Sequence, residues 1–351
     1  MMIARREANE FPHWLEAAGP ENDIVVSTRV RLARCLSDHV FPARSSLLQR
    51  REAFDEVASA LEGVGGDRRF RVLNFIACDP LDQELLLENR VASPDLLAAE
   101  GDRGVAVREG SRLSVMINEE DHVRLQCMDA GLQARKSWEA VSGVDDELGT
   151  RLRFAFDGRK GFLTCCPTNS GTGLRISFLM HLPGLILTKA IDPVLQGASQ
   201  MGLSTRGFFG ENSSVVGSFF QLSNHATMGA SEEQFLSATA ETIARVIECE
   251  RGARARLLGE ARAELTDKVC RAYGLLMYAR SLTMEEFLNL ASAVRLGAEC
   301  GIFEKVSVAT LNRLMVRCMP AHLQAYLRRR LDKGACGPYR AEVVQEMLSA
   351  S

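Results

Sequence analysis

The sequence predicts an α+β protein that ends in a smaller all-α part. Three observations carry this expectation. Up to about residue 255, short apolar or alternating runs of strand type interleave with segments of helical period. From Leu257 to Ser351 the spacing is helical throughout, and strand signals thin out. The chain has 351 residues, long for one ordinary small domain. We therefore expect two domains, 1–258 and 259–351, the second used for oligomerisation or partner docking.

The elements follow in order. Phe11, Trp14 and Leu15 suit a helical turn that Gly19-Pro20 ends. Ile24 to Arg34 begins as a strand. On it Arg29 and Arg31 flank Val30, so both guanidinium groups face one side. Residues 45–62 carry Leu47, Leu48, Phe54, Val57, Ala58 and Leu61 at helical spacing. Phe70 to Phe75 reads as a strand. Asp79-Pro80 reads as an N-cap and first helical position of a helix to Asn89, and Ser93-Pro94 as a turn. Leu113 to Asn118 alternates into a strand and runs straight into Glu119-Glu120-Asp121-His122-Val123-Arg124. Val144 to Leu148 opens a helical piece. His181 to about Leu195 reads as one helix, Val215 to Leu222 as a strand, and Ser231-Glu232-Glu233 as the cap of a long helix into Arg256.

Composition excludes some functions. A net charge of −3 gives no electrostatic case for binding nucleic acid or a membrane. No run reaches the roughly 18 apolar residues of a membrane span. The charged N-terminal stretch, Met1 to Glu10, has no apolar core and does not read as a secretory signal. None of the ten cysteines forms a C-x-x-C pair, so no zinc site is indicated. Free thiols point to a reducing cytoplasm.

The chemistry gathers around Thr164-Cys165-Cys166-Pro167-Thr168-Asn169-Ser170-Gly171-Thr172-Gly173-Leu174-Arg175. Glycines let backbone N–H groups approach phosphate oxygens, and Arg175 adds a permanently charged planar fork. Three successive carboxylates with His122 and Arg124, set between strands, suit charges that point into a cleft. Arg206-Gly207-Phe208-Phe209-Gly210-Glu211 is a second glycine-bracketed turn. Five arginines in unusual contexts (29, 31, 124, 175 and 206) match a nucleotide triphosphate, because guanidinium forks hold phosphate oxygens bidentately. Neither a Walker A loop nor the protein-kinase signature is present.

In order, Ser27 to Arg31, Asn118 to Arg124, Cys166 to Arg175 and Arg206 to Glu211 resemble the motifs of the ATP:guanido phosphotransferases, the creatine and arginine kinases and their bacterial relatives. The closer likeness is to the bacterial protein arginine kinases of that family, carried by Asp145-Asp146-Glu147, His181-Leu182-Pro183 and Gln221-Leu222-Ser223-Asn224. The resemblance implies an antiparallel sheet flanked by helices and a helical domain used for dimerisation. It implies ATP as phosphoryl donor with Mg²⁺ travelling on it, and protein arginines as acceptors. Arg29, Arg31, Arg124, Arg175 and Arg206 would clamp the phosphates. Ser27, Thr28, Val30, Ile176, Ser177, Phe178, Leu179, Gly207, Phe208, Phe209 and Gly210 would complete the nucleotide site, with Arg90 beside them. Glu120 and Glu211 would hold the acceptor guanidinium, with Cys166 next to it as a thiolate favoured by positive surroundings. By the same resemblance the partners would be a zinc-binding activator, a heat-shock repressor and a Clp ATPase. The family's C-terminal Arg-Asp-x-x-Arg-Ala, which docks phosphorylated arginine, stands here as Cys336-Gly337-Pro338-Tyr339-Arg340-Ala341. Two other readings remain at this point: a kinase of a free guanidino metabolite, and a non-catalytic adaptor that retains the fold.

Overall fold

The computed structural model describes residues 11–65, 69–108, 112–208, 216–332 and 334–350. Ten strands form among them: β1 (Val25–Arg34), β2 (Arg71–Asn74), β3 (Gly104–Val107), β4 (Leu113–Ile117), β5 (Val123–Ala130), β6 (Phe156–Asp157), β7 (Gly161–Phe162), β8 (Leu174–His181), β9 (Leu203–Gly207) and β10 (Phe219–Asn224). Eight of them make one sheet in the order β2-β3-β4-β5-β1-β8-β10-β9, with every neighbouring pair antiparallel. Strands β6 and β7 form a separate small hairpin.

Alternation along the central strands divides the sheet into two unlike faces. Val30, Leu32, Leu125, Cys127, Ile176, Phe178 and Leu222 lie on one face, in the main core. Helix α1 (Leu47–Glu62) adds Phe54, Val57 and Leu61 to that core. Val141, Val144 and Leu148 come from α4 (Ala134–Gly149), and Ile243, Val246 and Ile247 from α7 (Glu232–Glu260). The register aligns Arg31 with Gln126 and Arg175, Arg29 with Met128 and Ser177, and Ala33 with Arg124. Residues paired directly across strands share a face, so the arginines gather on the side away from the main core.

Local signals place the helices. Ser46 and Gln49 form a capping box at the start of α1, and Ser231 and Gln234 do the same for α7. Asp79 caps α2 (Pro80–Glu88), its side chain accepting from the Leu81 N–H. Ser93 is more than a turn residue, because it caps the short α3 (Pro94–Ala98). Val144 lies inside α4, which runs on to Gly149, rather than opening a helix. The expected helix from His181 is instead the end of β8, then α5 (Pro183–Leu187) and α6 (Ile191–Gln200), separated at Lys189, whose φ is +56°. Strand β10 begins at Phe219, later than Val215, and residues 209–215 lie outside the described segments.

The C-terminal region contains α8 (Arg262–Tyr278), α9 (Met284–Glu299), α10 (Val308–Arg317), α11 (Pro320–Leu327) and α12 (Cys336–Ser349). The boundary expected at 258/259 falls in the last turn of α7, which runs on to Glu260 before the break at Ala261. These helices share a second core with Trp14, Leu15, Met128, Leu179, Phe208 and Phe219 from the N-terminal, sheet-containing part. No helix of the described residues is long and apolar enough to cross a membrane.

Gly173, just before β8, has φ +68°, and a Cβ there would sit 2.5 Å from the Ala33 carbonyl oxygen. Gly173→Ala should therefore cost about 1–3 kcal/mol, read as a lower urea midpoint. Gly143→Ala, inside α4 with open space around it, should instead gain up to about 1 kcal/mol.

Candidate active site

The sheet brings six arginines together. Arg29 lies within electrostatic reach of Arg90, Arg175, Arg124 and Arg206, and Arg31 within reach of Arg29, Arg124 and Arg175. Burial, reinforced by those neighbours, pushes Arg29 down to about 9 and Arg31 well below the usual arginine range. Burial alone pushes Arg90 to about 10. A cluster of this kind favours an anion, which relieves the repulsion. Among the described residues, the buried Arg31 Nε and Ser177 Oγ on this face have no hydrogen-bond partner. Both can donate a hydrogen bond, and both suit phosphate oxygens.

Arg90 holds its place by contacts that sequence alone does not display. Its backbone is left-handed, with φ +61°. Its guanidinium donates to the Phe208 carbonyl at 2.8 Å and lies over the rings of Phe208 and Trp14, 4.8 and 5.4 Å from their centroids. Arg175 donates to Ser223 Oγ at 3.2 Å. Arg206 stands on β9 opposite Gln221, on a strand rather than in the expected turn.

The carboxylate side is built from the β4–β5 connection. Arg124 forms an ion pair with Glu119 at 2.6 Å and another with Glu120 at 2.6 Å. Glu119 is buried and also accepts from Ser93 and from the Glu120 N–H. Burial would raise the Glu120 carboxyl. Hydrogen bonds from Cys166, Arg124 and Asn169, with the Arg124 charge, outweigh it and hold Glu120 below the usual range. Asn169 Nδ2 donates to both Glu120 (3.2 Å) and Asp121 (2.9 Å). Asp121 also accepts from the Cys165 N–H at 2.6 Å and the Cys35 thiol at 3.3 Å.

The loop carrying Cys166 is thus fastened from three sides. Asp121 holds it in front. Thr227 Oγ1 donates to the Thr168 and Ser170 carbonyls at 2.9 and 2.6 Å. Behind it, Arg34 donates to the Thr172 carbonyl at 2.9 Å and is itself held by Asp145 at 2.7 Å. The Cys166 thiol is not poised as a thiolate. Burial and the Glu120 carboxylate push it up, beyond the opposing effect of Thr168.

The other residues expected around the nucleotide divide between the two faces of the sheet. The side chains of Thr28, Val30, Ile176 and Phe178 are fully buried on the opposite side of the pleat, because alternate residues must face away. Leu179 and Phe208 belong to the second core. Ser27 and Gly207 are buried in β1 and β9. Phe209, Gly210 and Glu211 lie outside the described residues. Glu119, Asp121 and Asn169 are the contributors sequence reasoning missed. The cost of holding three adjacent carboxylates was the available signal.

Comparisons with known proteins agree with this geometry. Residues 52–253 match the family model of the ATP:guanido phosphotransferase C-terminal catalytic domain, and residues 262–351 that of the protein-arginine kinase McsB C-terminal domain. The chain is 41% identical over 356 residues to a protein-arginine kinase of Symbiobacterium thermophilum, covering 99% of each. It is 39% identical over 341 residues to that of Moorella thermoacetica, covering 96% of this chain and 97% of the relative. A lombricine kinase crystal structure shares the fold at a TM-score of 0.59 and 24% identity, covering 71% of each chain. The duplicated taurocyamine kinase of Schistosoma mansoni with bound transition-state analogue components shares it at a TM-score of 0.61 and 22% identity, covering 82% of this chain and 43% of that one. With both halves matched and relatives this similar over their full length, the chain belongs to the protein-arginine kinases of the ATP:guanido phosphotransferase family.

Proposed function

We propose that this enzyme transfers the γ-phosphoryl group of ATP to arginine side chains in proteins, at the cleft between the arginine cluster and the Glu120–Cys166–Asn169 group. The observation that carries it is the excess of cationic groups facing one another across β1, β5 and β8, next to an ionised carboxylate. Arg29, Arg31, Arg124, Arg175 and Arg206 hold the phosphates, and Arg90, stacked between Trp14 and Phe208, takes the nucleotide's outer part. Mg²⁺ enters on ATP and offsets phosphate charge.

An arginine guanidinium is protonated near neutral pH and is a poor nucleophile. Glu120, assisted by Glu211 as the family resemblance implies, orients the acceptor N–H groups and takes up a proton as the N–P bond forms. Arg124 pairs with Glu120, so an acceptor guanidinium shares that carboxylate with it. Catalysis is then mostly alignment and electrostatic stabilisation of charge on the transferred group. Cys166 hydrogen-bonds Glu120 as a neutral thiol, a positioning role. We assign residues 259–351 to dimerisation and docking, with the activator, repressor and Clp ATPase as partners to be sought.

Phosphoarginine docking in that helical part is not expected to use Arg340. Its Nε donates to the Cys318 carbonyl at 2.9 Å and its Nη1 to the Leu282 carbonyl at 2.6 Å, and the residue is buried.

Incubation with Mg-ATP and an unfolded arginine-rich protein should give phosphoarginine, seen by mass spectrometry under non-acidic conditions. Glu120→Gln should lower kcat about 10²–10³-fold while ATP binding, read by calorimetry, persists. Turnover of free arginine with none on protein would overturn the assignment of the acceptor. Cys166 alkylation in the free enzyme should rise only above the ordinary thiol range of about 8.5, and Glu120→Gln should move that rise to lower pH.

A further inference from the structure

We propose that Arg295 and His181 form a latch through which the helical domain positions the two strands that carry the phosphate-binding arginines. Arg295 lies on α9, yet it is 1% exposed and points into the catalytic part. It donates to the Asn22 carbonyl at 2.8 Å and the Asp23 carbonyl at 3.1 Å, immediately before β1. It also meets His181 Nδ1, at the end of β8, at 2.7 Å. One guanidinium thus grips the entry to the strand of Arg29 and Arg31 and the exit of the strand of Arg175. The same strand ends are joined by the His181 N–H donating to the Ile24 carbonyl at 2.8 Å.

The contacts fix the state of the imidazole. Arginine offers only donors, so Nδ1 accepts and the proton sits on Nε2. That N–H meets Ser292 Oγ at 2.8 Å, on α9 near Arg295. The Phe219 ring of β10 stacks on His181 at 4.7 Å. From α7, Arg254 donates to the His181 carbonyl at 3.4 Å and the Asp23 carbonyl at 3.1 Å. Glu250 pairs with Arg254 at 2.8 Å and accepts from the Gly184 and Leu185 N–H groups at 2.9 Å each. Glu299 stands 3.5 Å from Arg295, and the Asp23 carboxylate 3.6 Å from Arg254. A proton added to Nδ1 would place N–H against N–H. Burial first, then the charges of Arg295 and Arg254, keep the ring neutral.

The carboxylates nearby serve the arginines, not the imidazole. Glu250 neutralises Arg254 and caps α5, and Glu299 faces Arg295. Removing Arg295 takes away the donor that occupies Nδ1 and one of the two charges that oppose protonation of His181. Its protonation would then bring a new cation against Arg254 and loosen the ends of β1 and β8.

The test combines kinetics with a direct view of the ring. Arg295→Gln should lower kcat on the order of tenfold, more than it raises the KM for ATP, because alignment of the arginines matters most in the transition state. It should also create an acid limb in the kcat profile that the wild-type enzyme lacks, because Nδ1 loses the donor that blocks its protonation. Arg295→Lys, which keeps the charge, should lose activity without that limb, and Arg295→Gln with His181→Gln should lack it too. Wild-type kcat in a folded Arg295→Gln enzyme would overturn the proposal, and so would a loss with no acid limb. Should the variants fail to fold, ¹⁵N-histidine NMR of the wild-type enzyme decides. Of the six histidines, His122 and His181 are expected to stay neutral and Nε2-protonated from pH 8 to 5, and a His122→Gln sample assigns which signal is His181. A ring titrating at about 6.5 refutes the latch.

Discussion

The arrangement depends on repulsion that the fold is strong enough to hold. Arg29, Arg31, Arg124, Arg175 and Arg206 stand on one face of the sheet with Arg90 beside them, and Glu119 and Glu120 pair with Arg124. Their opposite face supplies the opposing energy. Val30, Leu32, Leu125, Ile176 and Phe178 are each nearly or fully removed from water. A buried side chain of that size contributes roughly 1.5–3 kcal/mol. Cations held together before the ligand arrives need no rearrangement when charge develops on a transferred phosphoryl group.

The acidic side solves the converse problem. Glu119, Glu120 and Asp121 are consecutive, and each has a different neighbour to answer. Glu119 is buried against Arg124 and Ser93. Asp121 is spent on the loop through Cys165 and Asn169, and burial keeps its carboxyl raised. Glu120 is left partly exposed and ionised, facing the cleft. His122, with burial pushing it to about 4, accepts from the Leu36 N–H and adds no cation. One tight connection therefore sorts three chemically similar groups into two structural roles and one reactive one.

Much of this could be read from the chain. Period-2 spacing put Arg29 and Arg31 on one face, and the helical period together with cap residues located α1, α2 and α7. Other features depend on tertiary contacts that spacing does not encode. Strand β3 is four residues long and recognisable only through its pairing with β2 and β4. The run from His181 divides into β8, α5 and α6 because Glu250 caps α5 from a helix some 65 residues away. Motif residues divide in the same way: half of any strand must face the core, so the side chains of Val30, Ile176 and Phe178 lie behind the arginine face.

Cys166 shows how the surroundings of a group decide its state more finely than net charge. Six arginines nearby suggest a stabilised thiolate. The thiol instead is partly buried and contacts Glu120 and Thr168, and burial together with that carboxylate pushes it up. A neutral thiol there can donate to Glu120 and keep it ionised, whereas a thiolate would repel it. The acceptor site therefore retains a net negative carboxylate for a guanidinium, beside a cationic site for phosphate. Separation of the two charges across one cleft, rather than reactivity of any single residue, is what brings a cationic nucleophile and a polyanionic donor into line.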